Sequence, residues 1–418
     1  MDQPMRLYLD RRHRLADRHR PPAEQEPVQR VTRSQNPLLE LRAWGQSPWC
    51  DQLSRRLLSS GQLGNLVSRQ GIVGLTSNPT IFRNALAEGD WYDADIRTTA
   101  ASGMGTKAIY EQLAVHDIQA VADLLEPVYL KTDRRDGYVS FEVSPDLAYN
   151  AEESVAEARR LWAAVDRPNL MIKIPGTRPG LWAITMLLAQ GVNVNVTLVF
   201  GLERYRQVLA AHAAGLLGAL ENGHDLPDIA SVASFFVSRV DTLVDRLLDF
   251  KAAIATDPVE QTRLLGLRGK AAIANARAAR RIWEHWLETG SMPALLSAGA
   301  RPQRLLWAST GTKNPAYRDV RYVEELIGPA TVTTLPLETI AAFAQHGRIR
   351  GATLTDESAV TDSATTLEAL AEARIKMESV AEELESAGVK LFADSFAQLL
   401  QGVEAKTQAV LVGESASR

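Results

Sequence analysis

One cysteine, Cys50, stands in 418 residues, so the chain can form no intrachain disulfide and no cysteine metal cluster. Its seven histidines are scattered, and none falls at the HExxH spacing of a zinc helix. No GxGxxG turn is present, and the P-loop spacing fails around Gly311-Thr312-Lys313, so nucleotide binding has no motif to rest on. No apolar run approaches the length of a membrane span. A formal net charge of -4 gives the molecule no general attraction for nucleic acid or anionic lipid.

What is there is ordinary for a globular protein: 45% hydrophobic and 23% charged residues, enough to bury a sizeable core. Length alone fits two average domains or one large barrel. Residues 1–35 read as a polar, weakly ordered extension. The first 33 hold eight arginines, no lysine and five acidic residues, without the apolar core of a secretory signal. A solvated tail is preferred there to a nucleic-acid-binding arm. Residues 36–418 read as a single domain, and the near absence of cysteine fits a cytoplasmic location.

From residue 36 onward, short apolar runs alternate with helical patterns. The runs are Ser47–Cys50, Gly71–Leu75, Tyr138–Glu142, Leu170–Ile174, Val192–Leu198, Ile229–Phe235, Arg304–Ser309 and Ala330–Thr334. Several are continuously apolar rather than alternating, as strands buried on both faces are. Between them, Ala151–Val165, Leu202–Leu220 and Ser238–Phe250 repeat apolar residues at helical spacing. Strand, helix, strand without long hairpins implies a parallel sheet, and eight strands suggest closure. The expected fold is therefore α/β, a (β/α)₈ TIM barrel with extra helices after strands 2 and 6. A C-terminal helical pair (363–411), broken near Gly388, is expected to pack on the barrel's outside.

In such a barrel the reacting groups sit where strands end. The first run here ends in Asp51, the second in Thr76-Ser77-Asn78, and the third carries Glu142. The fourth carries Lys173, and the fifth Asn195 and Thr197. The sixth leads through Ser234 and Phe236 to Arg239, and the seventh ends in Ser309 with Lys313 beyond. Lys173 is the sharpest of these. It interrupts LMIKIP in a chain that uses only nine lysines among 46 basic residues. Burial disfavours an ammonium and frees the amine to attack a carbonyl. The competing reading is a structural ion pair with Glu142. Asp51 and Glu142 are acid/base candidates or salt-bridge partners. Arg239 and Lys313 suit a phosphate, or are loop charges. Asn78, Asn195, Thr197 and Ser234 can meet substrate hydroxyls or cap turns.

Six motifs in order, GLTSNPTIF (74–82), SFEVS (140–144), LMIKIP (170–175), VNVTL (194–198), SFFVSR (234–239) and WASTGTKN (307–314), resemble those of the transaldolase family. The resemblance covers residue 36 to the C-terminal helices and is closest to the longer bacterial subgroup. It implies a Schiff base on Lys173 and acid/base work by Asp51 at the carbon–carbon bond. Glu142 and Thr197 would handle a catalytic water. Thr76, Asn78, Asn195, Ser234 and Phe236 would contact substrate, and Arg239, Ser309 and Lys313 the phosphate. Lys313 departs from the family pattern, which places an arginine nearby. The implied reaction carries dihydroxyacetone from sedoheptulose 7-phosphate to glyceraldehyde 3-phosphate, giving erythrose 4-phosphate and fructose 6-phosphate in the pentose phosphate pathway. No metal, organic cofactor, nucleic acid or membrane partner is implied, and the oligomeric state stays open between monomer and homodimer. Fructose 6-phosphate aldolases share the barrel and the lysine but carry Gln and Tyr where Glu142 and Phe236 stand here, which favours transfer. A barrel that has lost catalysis would show a damaged catalytic position, and none is found.

Overall fold

The structure is a computed structural model that describes residues 36–415. The Arg-rich extension lies outside the described residues. Eight parallel strands close into a barrel in strict chain order: β1 (Gln46–Cys50), β2 (Gly74–Thr76), β3 (Tyr138–Glu142), β4 (Leu170–Pro175), β5 (Val194–Val199), β6 (Ser231–Phe236), β7 (Arg304–Ala308) and β8 (Thr331–Leu335). Every strand residue is buried, which is why several of the runs read as continuously apolar and not as alternating stripes.

The β2 strand is the least faithful to its sequence pattern. It begins at Gly74, not Gly71, because Gly71 at φ +84° ends the preceding helix, Gln62–Gln70. Ile72 and Val73 are then buried before the strand starts. Extra helices follow β2 (Pro79–Ala87, Asp93–Ala101 and Thr106–Lys131) and β6, where Pro258–Leu265, Ala271–Leu287 and Met292–Ser297 come after the strand's own helix, Ser238–Ile254. At the strand N-termini a charged cluster fills the barrel. Arg304 donates to Ser47 and Asp136 at 3.0 and 3.1 Å.

The chain's last helices correct the sequence reading twice. They are Glu357–Glu372 and Met377–Ser415, so the break falls near Arg374 and the second helix runs unbroken through Gly388. Glycine within a helix costs roughly 1 kcal/mol against alanine, which is why it reads as a break. Here it is a notch: a Cβ at Gly388 would sit 2.8 Å from a methyl of Leu198. Nor does this helix pack on the barrel's outer wall. It crosses the C-terminal mouth, with Glu385 paired to Arg204 beyond β5 and Lys406 paired to Asp93 beyond β2. On the way Ser395 meets Thr80 at 2.9 Å and Phe396 packs edge-on against Tyr110.

Candidate active site

Beneath that helix, at the strands' C-terminal ends, lies a cavity of about 270 Å³. Asp51, Lys173, Ser234, Arg239, Ser309 and Lys313 line it, drawn from the ends of β1, β4, β6 and β7 or the segments that follow them. Lys173 is 4% exposed. Its Nζ donates to the Ser77 carbonyl at 3.2 Å and lies 3.5 Å from Glu142 Oε2. The ion pair that competes with a reactive reading is therefore real, but it sits inside the cavity's wall.

Glu142 is 6% exposed, and burial pushes its carboxyl up to about 7, against the pull of Lys173's charge. A group titrating there is present in both forms near neutrality, which suits an acid that must become a base. Among the described residues neither Glu142 oxygen nor Thr197 Oγ1 has a hydrogen-bond partner. Buried polar atoms seldom stay unpartnered without a chemical reason. A second cavity of about 10 Å³, close to the size of one water, lies beside Glu142, with Ser77, Asn78 and Tyr110 also on its wall.

Asp51 follows β1 directly. Burial raises its carboxyl above the usual range, opposed by Lys173 and by the Thr76 hydroxyl, which donates to Oδ1 at 2.6 Å. Thr76 also meets Thr334 at 2.7 Å, so it holds Asp51 rather than standing free for a ligand. Asn195 is spent in the same way. It donates to Ser140 at 2.9 Å and accepts from Ser234 at 2.8 Å, behind the cavity wall. Asn78 lines the cavity while its Oδ1 caps the next helix through Ile81 N. Thr197 lies in a one-residue bulge of β5, where Leu198 takes a φ of +60°, a strained value for a branched side chain.

At the far end, Arg239 opens the Ser238–Ile254 helix. Its guanidinium lies 5.6 Å from the Phe236 ring centre and forms no ion pair among the described residues. The left-handed Ser309 (φ +57°) brings its hydroxyl within 3.0 Å of Ser238. Lys313 is exposed on the following loop. Two aspartates fix that loop and the next helix to the Arg239 helix. Asp245 accepts from Tyr317 at 2.6 Å and from Gly269 N at 2.7 Å, while Asp241 accepts from Tyr322 and Ala272 N, both at 2.8 Å.

Burial pushes Asp241 up to about 6 from an ordinary 3.8. Its raised folded value means the favourable contribution is complete below the unfolded value and fades as pH rises through about 6. Asp241→Asn should therefore gain stability relative to wild type between about pH 4 and pH 8, by roughly 3 kcal/mol in total. Paired thermal melts across that range check this, and a pH-independent difference would refute it.

The sequence missed the contributions of the last helix. Leu391, Phe392 and Ser395 join the cavity lining, and the Phe392 ring centre lies 5.9 Å from Lys173 Nζ. Arg83, tied to Gln398 at 2.7 Å, lines it too. Of these, only Phe392 could have been flagged, by the apolar period of the last helix. Among the described residues no three His, Cys, Asp or Glu side chains are grouped to hold a metal, and no helix is long and apolar enough to cross a membrane.

Comparison with known proteins gives one answer. Residues 48–403 match the family model described as transaldolase/fructose-6-phosphate aldolase. The chain is 49% identical over 369 residues to a transaldolase of Thermobifida fusca, covering 88% of this chain and 97% of that one. It is 44% identical over 376 residues to transaldolase 2 of a Nostoc species, covering 89% and 98%. With a transaldolase of Mycolicibacterium paratuberculosis the identity is 46% over 370 residues, covering 88% and 96%.

Proposed function

Because the chain belongs to the transaldolase/fructose-6-phosphate aldolase family and acts as a transaldolase, we propose that it moves a dihydroxyacetone unit between sugar phosphates through an imine on Lys173. The donor would be sedoheptulose 7-phosphate and the acceptor glyceraldehyde 3-phosphate, in the pentose phosphate pathway of the cytoplasm. The observation that carries this reading is the buried Lys173 amine, 3.5 Å from a carboxyl poised near 7, in a cavity with cations at its far end.

Attack of the amine on the ketose carbonyl gives a carbinolamine. Its hydroxyl leaves as water when Glu142 supplies a proton, with Thr197 as the second anchor for that water. Asp51 takes the proton from the hydroxyl next to the breaking carbon–carbon bond, the electrons move into the imine, and an aldehyde leaves. The enamine then adds to the acceptor aldehyde and the steps run backwards. Ser234 and Asn78 orient hydroxyls from the cavity wall. Thr76 and Asn195 act through the side chains they hold, and Phe236 supplies an apolar side. Arg239, Ser309 and Lys313 take the phosphate, helped by the Ser238–Ile254 helix N-terminus.

Borohydride added with fructose 6-phosphate, followed by peptide mass mapping, tests the central step. A reduced dihydroxyacetone or hexose adduct is expected on the Lys173 peptide, and folded protein that traps nothing would end the proposal. Arg239→Ala should raise KM for phosphorylated substrates about 10–100-fold, the loss of a charged hydrogen bond. Its kcat should move far less, and an unchanged KM would remove Arg239 from the phosphate site.

A further inference from the structure

The enamine formed on Lys173 has two fates. In transfer, its nucleophilic carbon adds to the acceptor's aldehyde carbon and the aldehyde oxygen takes a proton. In loss, that same carbon takes a proton from solvent and the imine reforms. Water then adds to the imine carbon, the carbon–nitrogen bond breaks with its electron pair going to nitrogen, and free dihydroxyacetone departs. Only the second route requires a solvent proton at the nucleophilic carbon. A transferase must slow that step while the first aldehyde leaves and the second arrives.

The Met377–Ser415 helix supplies a means. Polar and charged side chains are mixed with apolar ones around the cavity, so water and its protons have hydrogen-bonding surface along much of it. Among the apolar lining residues, Phe392 is 4% exposed, with its ring centre 5.9 Å from Lys173 Nζ. The reacting carbon lies two bonds from that nitrogen. An aromatic face there offers no donor or acceptor to water, and it favours the positive charge of the protonated imine. Its position is fixed from both sides. Ser395 meets Thr80 and Gln398 meets Arg83, while Gly388 lets the helix close onto Leu198.

We propose that Phe392 is a specificity-determining residue that keeps solvent from the enamine carbon, so that the bound three-carbon unit waits for an aldehyde. This rests on the imine at Lys173. It concerns which way the intermediate leaves, not how it forms.

The test compares wild type with Phe392→Leu, Phe392→Tyr and Phe392→Ala, each given fructose 6-phosphate in deuterated water. Dihydroxyacetone release without acceptor is measured against transfer to erythrose 4-phosphate, and borohydride trapping is run alongside. Alanine should raise release relative to transfer by about tenfold or more, with deuterium in the freed dihydroxyacetone. Leucine, which keeps apolar cover, should stay near wild type. Tyrosine keeps the ring and the packing but adds a hydroxyl that can hold water, so it should shift the same ratio even if the alanine variant does not fold. Trapped adduct in every folded variant with an unchanged ratio would overturn the role of Phe392 alone. A wild type that traps nothing at Lys173 would overturn the imine and this inference together.

Discussion

Lys173→Ala is expected to lose the borohydride-reducible adduct and to lower transfer by at least about 10⁴-fold, the scale on which removal of a covalent nucleophile acts in other enzymes. No neighbour can replace it. The cavity's other lysine, Lys313, is exposed on the loop after β7, at the end with Arg239 and away from the buried Glu142. Phosphorylated ligands should still bind, because Arg239 and Ser309 are untouched. The variant also tests the ion pair. Glu142 is held near 7 by two opposed effects, burial raising it and Lys173's charge lowering it. Without the ammonium, burial prevails and the carboxyl rises further. A raised folded value stabilises fully below the unfolded value and is lost as pH rises through the folded one. The variant should therefore be close to wild type in stability at mildly acidic pH and fall behind in alkali. Melts at both ends of that range, with Lys173→Met as a second control, separate lost chemistry from lost folding. Transfer within tenfold of wild type in a folded Lys173→Ala protein would show that the amine is not the nucleophile.

Asp51→Ala should separate two steps that wild type runs together. Removing a general acid/base typically costs about 10²–10⁴-fold. The loss should fall on cleavage and formation of the carbon–carbon bond. Borohydride should still trap ketose on Lys173, now as the uncleaved hexose adduct in place of the three-carbon one. The physical basis is the division of labour between the carboxyls. Glu142 sits against the Lys173 nitrogen, where water must leave and return. Asp51 is held off to the β1–β2 side by Thr76 and Thr334. The mass of the trapped adduct reads this directly. A three-carbon adduct at wild-type rate would move Asp51 out of the bond-breaking step.

The barrel and its chemistry were legible because closed parallel sheets leave a strong mark. Strands buried on both faces are mostly uncharged, so a lysine in LMIKIP and a glutamate in SFEVS stand out without any knowledge of neighbours. What a strand end carries is also local, and Asp51, Lys173, Ser234 and Arg239 do converge on one cavity. Other features are set by contacts that sequence does not encode locally. Asn195 and Thr76 look free to bind a ligand until their partners, Ser140, Ser234 and Thr334, are known. The last helix shows the limit most clearly. Its apolar period says that one face is covered, not that the cover is the barrel's mouth. Gly388 was misread because helix propensity carries no information about Leu198, far back in the chain. Thr80 and Ser395, which pin the helix above the cavity, stand 315 positions apart.

Cys50 has one more consequence. The thiol is wholly shielded at the end of β1, and burial with Asp51 alongside pushes its ionisation far into alkali. A thiolate-seeking reagent can reach it only when β1 parts from its neighbours. Because it is the sole sulfhydryl in the chain, the rate at which such a reagent labels intact protein clocks the opening of the barrel itself. Nature has left a single-site reporter at the seam between the first and last strands, and a ligand that tightens the barrel should slow that clock.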